Sequence, residues 1–403
     1  MMKLARIAAV VASAVLFLGL AGSPAFAQAA DGEAPRITPG WVFTPTVSLG
    51  ITHDDNPLLA GGGNPTPDDI LTNVRPGGDL TFTGKHTFVG TGYRGSIQRY
   101  RTLDEYDNYG QGGYVELRHQ PSRRVSLFVR DNASVSPTTD LVEVAGLPFS
   151  RTGTRSNDLN GGLTASLTKR LQFSGAYAFQ WLEFDRPDDP SSPVLQGGRA
   201  HRVTLGGRQA INSRLKVGGD YSIQRATLGQ TVEDEHFMIQ DLEGTASYEL
   251  APTVTIEGGA GISHLALPGE EPRTGPAFRA ALRKRTEHAL LSISAMRSFV
   301  PAFGLGGAFQ NQEVLATVRV PFLRNRAYAD GSIAWRDSEP VLVGGLGLKS
   351  LVALTSVGYS FQPWLRLEAF YNGTFQDSTV AGGNVDRNRF GVQFVTAHPM
   401  RLR

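Results

Sequence analysis

From Trp41 to Ala397 the chain is written in twos. Apolar side chains take every second position over stretches of roughly ten residues, and each stretch ends in a connector of polar and turn-forming residues. Val89, Thr91, Tyr93 and Ile97 alternate with Gly90, Gly92, Arg94, Ser96 and Gln98. Leu171, Phe173, Tyr177, Phe179 and Trp181 alternate with Gln172, Ser174 and Gln180. Leu365, Leu367, Ala369, Tyr371 and Phe375 do the same against Arg366, Glu368, Asn372 and Thr374. A period of two is that of a β-strand, whose successive side chains leave opposite faces. About eighteen such segments follow one another with no helical stretch between them, and the alternation is weakest near Tyr106, Ala277 and Leu348. Their length is generous for globular strands and sufficient to cross a bilayer at a tilt.

The connectors come in two sizes. Short turns fall near Gly84-Lys85, Gln120-Pro121-Ser122, Lys169, Asn212-Ser213, Ala251-Pro252, Arg285-Thr286, Arg324-Asn325 and Gln362-Pro363. Longer loops lie between them, the longest near Asp54–Leu71, Pro137–Gly153 and Asp185–Gly197. This alternation predicts an all-β chain: a single transmembrane antiparallel up-and-down β-barrel of about eighteen strands (16–18), with short turns at one end and long loops at the other. A propeller would repeat every four strands, and a two-sheet sandwich of so many long strands does not fit one domain.

A charge in the middle of a strand then acquires a place. Arg75, Arg94, Arg118, Arg130, Arg208, Lys216, Arg336 and Arg366, with Asp79, Glu116, Asp220, Glu257, Asp330 and Glu368, sit mid-segment on the polar stripe. In a barrel they are expected to line an aqueous lumen and set its selectivity, and their basic excess predicts a weak anion preference. Charge is also sorted by connector. The short turns carry Lys85, Arg123, Arg124, Lys169, Arg170, Arg214, Arg285, Arg324 and Arg326, whereas the long loops carry acidic residues such as Asp54, Asp55, Asp68, Asp69, Asp104, Glu235, Glu270, Asp337 and Glu339. Acidic loops are expected to meet lipopolysaccharide through bridging divalent cations, which favour carboxylate oxygens. Aromatics gather at both segment ends: Trp41, Phe43, Phe82, Phe88, Phe361 and Trp364 by short turns, and Tyr100, Tyr109, Trp181, Phe299, Trp335 and Phe375 by long loops. Two interfacial girdles would have this distribution.

The first residues agree with that location. Lys3 and Arg6 precede the apolar run Ile7–Leu20, and Ala25-Phe26-Ala27 forms an A-x-A site. Residues 1–27 are therefore expected to be a secretory signal peptide cleaved after Ala27, with Ala25 and Ala27 as its recognition positions. Residues 28–40 would be a short periplasmic leader and 41–403 the barrel, in the outer membrane of a Gram-negative bacterium. The chain has no cysteine, which removes disulfide staples and Cys-based metal or redox chemistry. Its net charge of +2 gives no reason to expect nucleic acid. A mean hydropathy of −0.17 fits a barrel, because half of each strand faces lumen water.

Site chemistry is sparse. No pair among the 8 histidines has the H-E-x-x-H spacing of a zinc site. A Ser-His-acid set is assembled in space and leaves no linear signature. No catalytic residue, metal or cofactor is expected. Asp54-Asp55-Asn56 could bind calcium, but it lacks the Gly and terminal Glu of an EF-hand loop, so an acidic Asx-turn is the expectation.

The end of the first segment, Gly50-Ile51-Thr52-His53-Asp54-Asp55-Asn56, and the last segment, Asp386-Arg387-Asn388-Arg389-Phe390-Gly391-Val392-Gln393-Phe394, resemble the family of outer-membrane β-barrel porins often encoded beside exopolysaccharide genes. The resemblance implies a wide barrel for export or passage of polysaccharide, and supplies no catalytic residues. The partners implied are outer-membrane lipid, lipopolysaccharide, polysaccharide and periplasmic export components. One departure stands out: such barrels end on an aromatic, whereas Phe394 is followed by Val395–Arg403. Either the assembly signal is internal or the last strand runs further. The expected function is a passive conduit for hydrophilic material, with exopolysaccharide export ahead of general small-solute diffusion. A structural or adhesion barrel closed by its own loops is a third reading.

Overall fold

The structure is a computed structural model that describes residues 39–61, 67–139, 148–186, 195–229, 235–341, 345–379 and 383–402. One sheet runs through β1 (Gly40–Asp54), β2 (Asp69–Thr83), β3 (Thr87–Tyr100), β4 (Asn108–Ser122), β5 (Val125–Ser136), β6 (Thr154–Ser166), β7 (Leu171–Phe184), β8 (Gly198–Ala210) and β9 (Leu215–Leu228). It continues through β10 (Glu235–Ala251), β11 (Val254–Ala266), β12 (Arg273–Arg285), β13 (Leu290–Pro301), β14 (Ala308–Phe322), β15 (Ala327–Pro340), β16 (Leu348–Gln362), β17 (Leu365–Ser378), β18 (Val385–Ala397) and the short β19 (Met400–Leu402). Each strand from β1 to β17 pairs antiparallel with the next, and β18 returns to β1, Thr46 opposite Ala397 and Asp54 opposite Arg389. The result is a closed eighteen-stranded antiparallel barrel. Closure leaves no unpaired edge, the condition a sheet must meet in hydrocarbon.

The wall begins at Gly40, one residue before the expected boundary. At the other terminus the departure noted above resolves. Pro399 has no N–H to give to a ladder, and β18 stops at Ala397. Pairing with β1 then resumes in β19, Trp41 opposite Leu402 and Phe43 opposite Met400. The last strand runs further than Phe394, nearly to the end of the chain.

The connectors separate by end. β2–β3 is closed by the Gly84 N–H donating to the Thr87 carbonyl at 2.7 Å, and β12–β13 by the Thr286 N–H donating to Ala289 at 2.8 Å. The β14–β15 turn places Leu323, Arg324 and Asn325 at φ of 50°, 55° and 65°, a left-handed conformation that only Asn of the three adopts readily. At the opposite end β5–β6 and β7–β8 are joined by residues 137–153 and 185–197. The β3–β4 loop holds a short helical turn, Asp104–Tyr106. The expected signal peptide and residues 28–38 of the expected leader lie outside the described residues.

Register shows which face is which. Leu205, Tyr221, Leu242 and Ile262 lie directly opposite one another across β8–β11, and are 59%, 39%, 56% and 54% exposed. Apolar rows of this kind recur around the wall, as at Val47, Leu49 and Ile51 of β1. A contiguous apolar belt of this extent is rare on monomers in water and is what a hydrocarbon solvent requires. The other stripe is concave. Arg279 of β12 reaches Asp220 of β9, three strands away, an approach open only to side chains that converge inside the cylinder.

Most of the expected girdle aromatics face outward. Trp41, Phe43, Phe361 and Trp364 are exposed at the short-turn end, where the Trp41 and Phe82 rings pack 5.2 Å apart. Tyr109 and Trp335 are exposed toward the other end. Three residues do not belong to the girdles. Phe88 has inward parity opposite Arg118, whose guanidinium lies 4.6 Å over its ring. Tyr100 shares that parity and is buried, and Phe299 is buried in an apolar cluster. For Phe88 and Tyr100 parity along the strand, rather than nearness to its end, decides the face; Phe299 is drawn in by the apolar cluster despite its outward parity.

Candidate functional site: the lumen and its outer mouth

Strand parity places all the expected lumen residues on the concave face. Arg75 lies opposite Ser48, Asp79 opposite Thr44 and Arg94 opposite Gly77. Arg130 is opposite Glu116, and Arg118 opposite Phe88. Asp220 is opposite Gly206, Arg208 opposite Gly218 and Lys216 opposite Ala210. Glu257 faces Ser247, Arg336 faces Glu313, Glu368 faces Gly358 and Arg366 faces Ser360. Asp330 pairs with Arg319.

Some of these meet each other. Arg94 Nη2 is 2.6 Å from Asp79 Oδ2, and Tyr114 donates to the other oxygen at 3.0 Å. Arg118 Nε is 2.6 Å from Glu116, Arg208 is 3.9 Å from Asp220, and Arg366 is 4.0 Å from Glu368. Others take partners the sequence did not single out. Arg336 meets Glu313 at 2.7 Å, Asp330 meets Arg319 at 3.2 Å, and Glu257 meets Arg283 at 3.5 Å. Arg75 donates to Gln393 at 3.4 Å, and Arg130 to Asn132 at 3.1 Å.

The densest charge array was only half visible in the sequence. On β8–β12, Arg279 contacts Asp220 and holds Glu243 at 3.0 Å. Arg202 sits 3.7 Å from Asp241, which also accepts from Ser222 at 2.9 Å and Ser263 at 2.5 Å. Arg202 has the same parity as Arg208 on one strand, so the alternation could have found it. Arg279 and Arg283 lie in the segment around Ala277, where alternation fails because Ala280 and Ala281 give neither face a clear character. Just inside, Arg208, Lys216, Arg279, Arg283, Glu257 and Glu313 help line a recess of about 250 Å³.

The outer mouth is narrowed from two sides. The β5–β6 loop crosses toward the far wall, where the Phe149 N–H donates to Gln376 of β17 at 2.8 Å. Arg151 of the same loop donates to the carbonyls of Pro57 at 2.5 Å and Tyr106 at 2.7 Å, and stacks over Tyr106 at 4.4 Å. Three loops are thereby tied to one guanidinium. Opposite them, the lumen face turns apolar. Leu182, Leu228, Ile239 and Leu265, inward at the outer ends of β7–β11, pack with Phe303 from the β13–β14 loop. That loop is pinned by reciprocal backbone bonds between Gly304 and Gln196, 2.8 and 3.1 Å, and by the Gly307 N–H donating to Glu235 at 2.9 Å.

The Asp54-Asp55-Asn56 run closes the barrel at its seam. Arg387 of β18 binds both Asp54 oxygens, Nη2 to Oδ2 at 2.5 Å. Asp55 accepts the Asn388 N–H at 2.6 Å and its amide at 2.7 Å. The Asn56 N–H donates to Asp54 Oδ1 at 3.2 Å, an Asx-turn. Among the described residues no group of three or more His, Asp or Glu is arranged to hold a metal ion.

No protein-family model and no curated protein sequence matches the chain. Among solved structures it is similar to OccAB4 of Acinetobacter baumannii, with a TM-score of 0.46 at 10% identity over 90% of this chain and 98% of that one. OpdQ of Pseudomonas aeruginosa gives a TM-score of 0.43 at 10% identity, with 90% and 98% covered. OccK2 of the same organism, solved in complex with glucuronate, gives 0.44 at 12% identity, with 90% and 98% covered. At this level the likeness adds nothing to what the strand pairing shows. None of these matches connects the chain with exopolysaccharide.

Proposed function

We propose that this barrel is an outer-membrane diffusion channel for small hydrophilic solutes in a Gram-negative bacterium. The observation that carries the reading is the form of the lumen. Its wall is a ladder of cross-strand charges from Arg94–Asp79 round to Arg336–Glu313. Its outer mouth is narrowed by the Arg151-tied loops on one side and the Phe303 cluster on the other. Barrels of sixteen to eighteen strands enclose an aqueous channel, and inward loops then set what passes. Paired charges hold water and orient polar solutes without trapping them, which is what conduction demands. Nothing in this passage requires covalent chemistry. The inward cations outnumber the anions among the fourteen positions named from sequence, which favours anions weakly.

Exopolysaccharide export, which the terminal motifs implied, draws no support from the described loop residues, of which Phe149, Arg151 and Phe303 reach across or into the mouth. The test is steady current through the detergent-purified barrel in planar bilayers, combined with swelling of proteoliposomes in sugars of increasing size. The expected result is a steady current, with entry of mono- and disaccharides and exclusion of longer oligomers. A barrel without current, or one that admits long oligosaccharides as readily as glucose, overturns the proposal. Surface polysaccharide lost on deletion of the gene would restore the export reading.

A further inference from the structure

Strand β8 carries two kinds of arginine. Arg202 and Arg208 face the lumen, where Asp241 and Asp220 meet them. Arg199 has the opposite parity, as does His201, and both are exposed on the lipid side. His201 lies directly opposite Arg225 of β9, and Arg199 opposite Thr227, which in turn lies opposite His236 of β10. Arg225 and His236 are exposed too. The four side chains form one outward patch on three adjacent strands at the long-loop end. Neither Arg199 nor Arg225 makes an ion pair among the described residues. Among the described residues the outward carboxylates Glu183 and Asp185, which help line the same recess as Arg199, lie 3.9 and 3.5 Å from Arg155.

On the neighbouring strand β7 aromatic rings flank the cations. Trp181 lies opposite Arg199. The Phe179 ring is 4.9 Å from that of His201, and Tyr177 hydrogen-bonds His201 Nδ1 at 2.8 Å. Below them come exposed Val203, Leu205 and Tyr221. Cations flanked by aromatics, with aliphatics further along the strands, match the phosphate, interface and acyl-chain regions of a lipid. Diagonal neighbours across a strand pair stand about 7–8 Å apart, so two guanidinium forks can grip one phosphate group or adjacent ones.

We propose that Arg199, Arg225, His201 and His236 form a docking surface for the phosphates of lipid A, with its acyl chains laid on Trp181, Leu205 and Tyr221. The inference rests on the outer-membrane placement proposed above. It replaces cation bridging by acidic loops with direct contact. Several of those loop carboxylates are committed within the protein: Asp54 to Arg387, Asp55 to Asn388, Asp69 to the N–H groups of Thr102 and Leu103, and Glu235 to Gly307.

The experiment is native mass spectrometry of the detergent-solubilised barrel with added diphosphoryl lipid A, and in parallel with enzymatically dephosphorylated lipid A. The wild type should retain the diphosphoryl form and lose at least about tenfold in occupancy with the dephosphorylated one, since each cation near an anionic lipid surface adds to retention. The double variant Arg199→Glu, Arg225→Glu should lose the diphosphoryl form to a similar extent. The outward Lys349→Gln on β16, distant from the patch, should retain it. Heat-modifiable migration checks folding, and the milder Arg199→Gln, Arg225→Gln pair stands in where the double Glu variant does not fold. Single-channel conductance of the double variant should match the wild type, so a failure of the channel reading shows in current and a failure of this one in lipid retention. Equal retention by the variant, equal binding of both lipids, or binding lost on chelation of divalent cations overturns the proposal.

Discussion

Arg387 of β18 and Asp54 of β1 form an ion pair with side chains 3% and 0% exposed, the most deeply buried among the described residues. Removing one partner of such a pair leaves an uncompensated charge in a poorly hydrated place, which costs about 3–5 kcal/mol. Arg387→Ala and Asp54→Ala should each destabilise the barrel by that order, whereas Arg387→Met with Asp54→Leu should come close to the wild type. Urea unfolding in lipid vesicles measures all three. Single variants as stable as the wild type would show that the pair does not hold the seam.

The assignment of faces has its own check within one strand. Leu242 of β10 faces outward and is 56% exposed, whereas Ser247 shares the lumen parity of Lys216 and Glu257. Leu242→Arg should cost about 2–4 kcal/mol near mid-bilayer. Ser247→Arg should cost little and alter ion selectivity instead. Folding titrations and reversal potentials on the two variants separate the faces, and a reversed outcome would turn the barrel inside out.

Selectivity should follow the β8–β12 array. Under a potassium chloride gradient the reversal potential should favour chloride slightly. Arg208→Gln with Lys216→Gln, both at the 250 Å³ recess, should shift it toward potassium. A wild type already favouring potassium contradicts the weak anion preference.

The mouth should loosen when its ties are cut. Phe303 is 1% exposed, and a buried Phe→Ala change costs about 3–5 kcal/mol where the site cannot collapse. Phe303→Ala and Arg151→Ala should each raise single-channel conductance and open-state noise. Unchanged conductance in both would place the narrowest point deeper in the lumen.

Asp107, at the root of the β3–β4 loop, accepts from Arg99 at 2.5 Å and from the Tyr100 N–H at 2.7 Å. The Arg99 hydrogen bond, aided by that N–H, holds its carboxyl below the usual value of 3.8. A lowered folded value means the contact is fully present above the ordinary aspartate range and lost as pH falls through the lowered one. Loop gating noise should therefore rise only in strong acid. Asp107→Asn should show the acid-like noise already at neutral pH, with no further rise on acidification.

The barrel was legible in the sequence because its signal is local. Parity around Arg94, Gln180 or Glu368 gives face and strand together, and the loops at 137–153 and 185–197 stand where the connectors placed them. What was hidden is what depends on strands meeting at a distance. Nothing near Arg387 announces Asp54, and nothing in the β13–β14 loop announces that Phe303 turns inward onto Leu228 and Ile239. Phe88 and Tyr100 were drawn into the girdles by position along the strand, where parity alone would have sent them inward. Whether the last strand ran past Phe394 stayed open in the sequence, because Pro399 interrupts the ladder before pairing resumes beyond it.

The wall has a temporal meaning as well as a spatial one. Every neighbouring pair from β1–β2 to β17–β18 joins consecutive stretches of chain, so the hairpins can zip up one after another at small loop-closure cost. The remaining junction of the eighteen-strand wall, β18 with β1, joins the two ends of the barrel, with Arg387 and Asp54 lying 333 residues apart. It is the one event that has to wait for all the rest. Its salt link is a completion mark, made only in a cylinder whose every earlier step succeeded.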